Sequence, residues 1–335
     1  MDWKTEPTES IAELYKRRAQ QLREKYDYLV LWFSGGADSS NIFHSFIENG
    51  IHLDEVVNYT NYEATGDKTN FMNGEIFHVA IPLIEKAKET NPHLKHRVID
   101  LSKLAIEYFS KKDTKFDWVY LMNGWMNPNN ACKNDIKLMV PEWVNLINSG
   151  KKVGFIQGID KPRIHQVKDH YYFYFVDYVD GAHSPGQQMQ DRSWEHDEFF
   201  YWTPDAPLIA IKQGHILKNY VKGLHNNHPD ATTVKHGLVK FKMNGQDRQL
   251  TGAKVHELIY PWWKRVPFQS KAPSIFFTPR DEWFFKLPDS DPAKYSWKVG
   301  LEEMWRMYPD SWKKDPADIS SGFKSLNSKM YDLGI

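Results

Sequence analysis

The sequence predicts an α/β fold: a parallel sheet with helices on both faces, carrying β-hairpin insertions and followed by a mixed α+β extension. Three observations lead there. Short runs of β-formers at 28–33, 54–60 and 96–100 alternate with segments of helical period, and βαβαβ alternation builds parallel sheets with right-handed crossovers. A glycine turn at 34–40 joins the first run to an amphipathic helix. From Tyr171 the pattern changes to period two, YYFYFVDYVDG, the mark of hairpin strands.

In chain order, residues 8–25 place Ile11, Leu14, Tyr15, Ala19 and Leu22 on one helical face, with Thr8 or Ser10 as the cap. Residues 28–33 are too short for a helix and read as a buried strand; Ile42, Phe43, Phe46 and Ile47 then recur at helical spacing. The second strand ends at Asn58-Tyr59-Thr60. A helix over 73–90 follows, with Pro82 expected to kink it, and then the strand 96–100. Residues 102–130 read as a helical segment and a loop, and 131–150 as one helix with Val140, Trp143, Val144, Leu146 and Ile147 apolar. Residues 153–157, VGFIQ, form another buried strand. Hairpins at about 166–200 are expected at the sheet edge near the site, and a helix at 207–224 closes a first domain over 1–225. The remainder, 226–335, reads as an extension with a hairpin turning at Asn244-Gly245 and short helices around Trp297, Trp305 and Trp312.

Composition narrows the classes. Lys+Arg and Asp+Glu are both 43, so no global field holds a polyanion or an anionic membrane. One cysteine, Cys132, excludes a disulfide framework and a Cys-rich metal site within the chain, and the cytoplasm is the expected compartment. Residues 1–20 lack a leader pattern and no apolar run approaches a membrane span, so no membrane partner is expected. Aromatic residues at 15% suit either a β-rich core or a base-stacking surface.

The chemistry concentrates in SGGADS, residues 34–39. Gly35 and Gly36 permit positive φ and let a phosphate approach consecutive N–H groups, and the helix behind adds unpaired amides and its positive dipole end. Asp38 caps the helix or, beside a phosphate, binds a bridging cation such as Mg²⁺. The segment is similar to the S-G-G-x-D-S PP-loop of the N-type ATP pyrophosphatases, whose fold is Rossmann-like and whose members cleave ATP between the α and β phosphates. Five specified positions arise by chance on the order of once in a thousand such chains, which gives the resemblance its weight.

That resemblance implies roles. Ser34, Gly35, Gly36, Ser39 and Ser40 would bind pyrophosphate, Asp38 would hold Mg²⁺, and Asn58 and Tyr59 would meet adenine; Tyr59 suits a core position equally well. The segment Ala131-Cys132-Lys133-Asn134-Asp135-Ile136-Lys137 is similar to the C-T-x-x-x-K element of the phosphoadenosine phosphosulfate reductase branch. Lys133 and Lys137 lie one turn apart and serve the nucleotide or are simply solvated. Gly158, Asp160 and Arg163 partly match that branch's G-x-R-x-x-E-S-x-x-R, although an ordinary strand-end turn looks much the same. The resemblance spans roughly residues 25–225.

Absences exclude some outcomes. No cysteine follows Cys132, so the reductase's carboxyl-terminal nucleophile is missing; sulfur insertion lacks paired thiols, and position 2 is Asp rather than a glutaminase Cys. The expectation is an ATP- and Mg²⁺-dependent enzyme that adenylylates a small-molecule or nucleobase acceptor, with Asp38, Lys133, Lys137 and Arg163 carrying catalysis. Two alternatives stand beside it. One is nucleic-acid modification, with local contact through the basic, aromatic stretch 235–265, where a solvated hairpin with an aromatic anchor has the same composition. The other is a nucleotide-binding module without turnover. A homodimer through the Trp-rich tail is a further expectation. His165, His170, His225 and His228 lack companions at zinc spacing.

Overall fold

The computed structural model describes residues 1–69, 73–111, 128, 136–137, 140–158, 163–175, 196–225, 233–235, 238–243, 246–250, 252–264, 282–322, 324 and 328–335. Its centre is a five-stranded, all-parallel sheet, the arrangement of a Rossmann-like α/β fold. The strands are β1 (Tyr28–Trp32), β2 (Glu55–Thr60), β3 (Lys95–Asp100), β4 (Val153–Gln157) and β7 (His196–Phe199), in the order β3-β2-β1-β4-β7.

Strand alternation sorts the core into two layers. Leu29, Leu31, Phe33, Val56 and Ile156 meet α1 (Ile11–Lys25), α2 (Ala37–Ile47) and α8 (Leu208–His225) on one face. Val30, Val57, Val153 and Phe155 meet α6 (Leu101–Ser110), α7 (Pro141–Asn148) and α11 (Pro292–Met307) on the other. Helix α1 begins where its capping box dictates: Ser10 accepts from the Glu13 N–H, and Glu13 accepts from that of Ser10. Buried among its apolar positions is Arg18, 2.8 Å from Glu198 on β7. Lys25 and Tyr26 bond the same carboxylate.

The helix expected at 73–90 is a composite: α4 (Asn73–Glu75), a π turn at Ile76–Ala80 and α5 (Ile81–Lys88). Pro82, in the first turn of α5, offers no N–H to the preceding carbonyls, and the wider turn absorbs the break in the ladder. The single helix expected over 131–150 is corrected. Val140 is extended, at φ −98° and ψ 103°, because the following Pro141 disfavours helical geometry there; α7 starts at Pro141. Also short are α3 (Tyr62–Thr65) and α10 (Glu282–Phe285).

The hairpin expected at the edge of the parallel sheet lies elsewhere. β5 (Arg163–Val167) and β6 (His170–Tyr174) turn through Lys168, at φ 56°, and are internal strands of a second sheet. It also contains β8 (Thr233–Lys235), β9 (Leu238–Met243), β10 (Gln246–Leu250) and β11 (Tyr331–Asp332), in the order β10-β9-β8-β5-β6-β11. The alternating aromatics explain the move. Phe173 and Leu333 pack on Gly214 of α8, where a Cβ would lie 3.2 Å from each, so burying this face draws the hairpin off the parallel sheet. Gln246 pairs with Met243, leaving two residues between β9 and β10 as the Asn244-Gly245 signal requires. Within the stretch read as β-rich, Gly252–Ile259 is instead helix α9. Among the described residues, no helix is long and apolar enough to cross a membrane.

Candidate functional site

Strand order reverses between β1 and β4, one leading outward to β2 and β3 and the other to β7. In open α/β sheets a crevice opens at the carboxyl ends of such a pair. Here it is bordered by the loop after β1 and the residue after β4.

The loop leaves β1 with the Phe33 N–H on Val57 O, 2.8 Å away. Gly35 follows at φ +77°, and a Cβ on it would lie 2.8 Å from the Glu75 carbonyl oxygen and 3.1 Å from Ala80 Cβ. Only glycine satisfies both conditions. Gly36 is the N-cap of α2 and provides no side chain to its first turn, so helix geometry leaves the leading amides, at Ala37, Asp38 and Ser39, without carbonyl partners in the helix. The serines brace the turn. Ser39 Oγ donates to Gly36 O at 3.2 Å and accepts from the Ser34 N–H at 3.2 Å, while Ser40 Oγ donates to Gly35 O at 3.1 Å. Ser34 is exposed and Ser40 buried, so the Ser40 hydroxyl shapes the loop from beneath.

Gly158 forms the facing wall. A Cβ there would sit 3.3 Å from Ser39 N, Asp38 Cβ and Ile42 Cδ1, so the glycine lets this backbone pack closely against the first turn of α2. The sequence reading thus paired two segments that the fold brings together, 34–39 and 158.

Asp38 is only 7% exposed. Its Oδ1 accepts from the Tyr260 hydroxyl at 2.6 Å, and its main-chain oxygen accepts from the Tyr201 hydroxyl, also at 2.6 Å. Asn41 donates to Tyr201 from the next turn of α2. Tyr15 completes the cluster, donating to Ile259 O at 2.8 Å and accepting from Gln213. Burial, first of all, pushes all three tyrosines far above their ordinary range, and the nearby Asp38 charge adds to it. They therefore remain protonated donors at physiological pH. Sequence carried no sign of Tyr260, which lies 222 positions from Asp38.

Asn58, expected to read a base, is fully buried. Its Nδ2 donates to Phe33 O at 2.5 Å and its Oδ1 faces His96 Nε2 at 2.6 Å. Burial lowers the His96 pKa despite Glu85, and the amide ties β1 to β3 across β2. Tyr59 stacks on Trp32, 5.1 Å between centroids, and Trp32 stacks in turn on Phe155 at 5.6 Å; this is the core alternative for Tyr59.

Lys137 is buried, its Nζ 2.6 Å from Asp197 Oδ1 of β7 and 4.9 Å from the centre of the Phe155 ring. Gln157, immediately before Gly158, bonds the same oxygen at 3.0 Å. Asp197 went unnoticed in the sequence because β7 is too short and polar to show strand alternation. Arg163, expected in a strand-end turn, is the first residue of β5 and is buried. Lys133 and Asp160 lie outside the described residues.

The loop fits the phosphates of a nucleotide, since the leading amides of α2 follow a glycine N-cap with no side-chain cap bond. For Mg²⁺ the fit is to one carboxylate with phosphate oxygens and water completing the shell, a common arrangement for this ion. Among the described residues no cluster of three or more His, Cys, Asp or Glu side chains can hold an ion alone. Within the basic, aromatic stretch 235–265, Trp263 is in the core.

No protein-family model matches the chain, and a search of curated proteins finds no match.

Proposed function

We propose that this protein binds ATP at the loop 34–39 and activates an acceptor by adenylyl transfer, releasing pyrophosphate. The observation that carries the reading is Gly35. A left-handed glycine with no room for a Cβ delivers the chain into an uncapped helix at the strand-order reversal, in a sequence similar to the PP-loop.

In the proposed reaction an acceptor oxygen attacks the α phosphorus, the bond to the α,β-bridging oxygen breaks, and that oxygen leaves with the electron pair on pyrophosphate. Such reactions depend on positioning and charge compensation. The amides of the first turn of α2 would receive the departing charge. Lys137 and Arg163 remain the candidate cations. Bound Mg²⁺ would neutralise phosphate charge, and Asp38 is the residue to hold it.

A second reading has its own support. Asp38 and Lys137 are engaged by Tyr260 and Asp197, as befits a module that binds nucleotide without turnover. One experiment separates the two: pyrophosphate and AMP release from Mg-ATP by the native protein and Asp38→Ala, with cell extract as acceptor source. Adenylyl transfer predicts release that needs both Asp38 and extract. Binding without release under every acceptor fraction supports the module.

A further inference from the structure

The first turn of α2 is met by two tyrosines from distant parts of the chain, Tyr201 and Tyr260, with Tyr15 packed against both rings, and Tyr260 contacts the loop carboxylate directly. Tyr260 is delivered by α9, whose Val255 and Ile259 are buried in the same core as α8. Its N–H bonds His256 O at 2.8 Å, and its carbonyl accepts from the Trp263 N–H at 3.2 Å. The backbone is thus pinned on both sides. Its ring lies against Tyr201 at 5.4 Å and His256 at 5.6 Å, which fixes the hydroxyl as well. A donor held this firmly fixes the orientation of the carboxylate it meets.

We propose that Tyr260 is a positioning residue of the nucleotide site: its hydroxyl holds Oδ1 of Asp38 so that the carboxylate is set to bind the divalent cation accompanying ATP. The proposal rests on the nucleotide reading above. It makes the carboxyl-terminal segment a working part of the site. Tyr15 supplies an internal comparison, because it is equally buried and hydrogen-bonded but addresses Ile259 O rather than the carboxylate.

The test is the Mg²⁺ dependence of ATP binding, followed by calorimetry in the native protein, Tyr260→Phe, Tyr15→Phe and Asp38→Asn. Tyr260→Phe should raise the half-saturating Mg²⁺ concentration about tenfold, the scale of one hydrogen bond to a charged group, whereas Tyr15→Phe should leave it within about twofold. An unchanged Mg²⁺ requirement in Tyr260→Phe, with the requirement lost in Asp38→Asn, overturns the positioning role and leaves the nucleotide reading standing. Tighter Mg²⁺ binding in Tyr260→Phe also overturns it, since the hydroxyl would then compete with the cation. Absence of ATP binding by the native protein removes both readings. Should Tyr260→Phe fail to fold, 3-fluorotyrosine at position 260 keeps the hydroxyl. Its fluorine resonance should move with Mg-ATP and not with ATP plus chelator; an identical response to both refutes the proposal.

Discussion

Gly35→Ala is the most direct test of how the loop is built, and Gly50→Ala is its reference. Both glycines have left-handed φ, +77° and +61°, but a Cβ on Gly50 meets nothing within 4 Å. Gly50→Ala therefore isolates the cost of placing an L-residue in that region, about 1 kcal/mol. Gly35→Ala carries the same cost and also sets a methyl group 2.8 Å from a main-chain oxygen and 3.1 Å from Ala80 Cβ. Neither neighbour is the free end of a flexible side chain, so backbone must move, and overpacking of this kind costs a further ~2 kcal/mol. The expected losses are about 3 kcal/mol for Gly35→Ala and about 1 kcal/mol for Gly50→Ala, measured by urea denaturation. Because the only relief is for the loop to move away from α4 and the π turn, ATP affinity should fall at least about tenfold in Gly35→Ala and hold in Gly50→Ala. Equal stability losses in the two variants would refute the reasoning, because the contact with Glu75 would then carry no energy.

Acid stability should report on Glu198. Burial raises its pKa, but the hydrogen bonds from Lys25 and Tyr26 and the Arg18 charge outweigh that, so the net shift is downward. With the folded value below the unfolded value near 4.5, its contribution is complete above that pH and lost as pH falls through the folded value. Glu198→Gln should flatten this limb of a pH–stability curve and lower stability at neutral pH by about 3 kcal/mol, since it leaves Arg18 buried without its counter-charge. If the acid limb is unchanged, other carboxylates dominate it. For Lys137, substitution by Met should cut Asp38-dependent pyrophosphate release about a hundredfold while changing ATP affinity less than about threefold. Equal losses in binding and turnover would assign Lys137 to ground-state binding instead.

Much of the fold was legible because it rests on local patterns. Leu29, Leu31 and Phe33 alternate with Val30 and Trp32 as a strand buried on both faces must, and of the two caps the pattern offered for α1, Thr8 and Ser10, the structure uses Ser10. Three elements show where local patterns end. β7 contributes Asp197 and Glu198, whose charges suggest a solvated loop; Asp197 is half-buried against Lys137, and Glu198 is buried because Arg18 and Lys25 arrive from elsewhere. Pro141 divides what apolar spacing joined. α9 sits among β-formers and is helical in a context set by α8.

The candidate site divides along the same line. Gly35 was readable because its role depends on φ and on space beside its own backbone; Gly36, at φ −69°, does not use the positive φ its residue type permits. Asn58 lies at a strand end where a base contact was reasonable, but a buried amide must satisfy both its ends, and Phe33 O and His96 do so from within the fold. Such closure needs knowledge of neighbours distant in sequence.

The tyrosine cluster suggests why the segments flanking the parallel sheet pack where they do. A carboxylate at the second position of α2, nearly excluded from solvent, needs a donor or a cation; without either, its desolvation would oppose folding. Tyr260 provides the donor, and Val255, Ile259 and Trp263 bury apolar surface in the same core as Leu14 and Phe43. Tyr15 from α1 then bonds Ile259 O, and Gln213 from α8 bonds Tyr15. The amino-terminal helix, the helix after β7 and the carboxyl-terminal segment thus converge beneath one loop, each satisfying a polar group that the others bury. A site assembled this way gains a rigid carboxylate at the cost of dependence on long-range packing. Loss of the Tyr260 hydroxyl should therefore weaken the cation site and, with no cation bound, lower the stability of the fold as well.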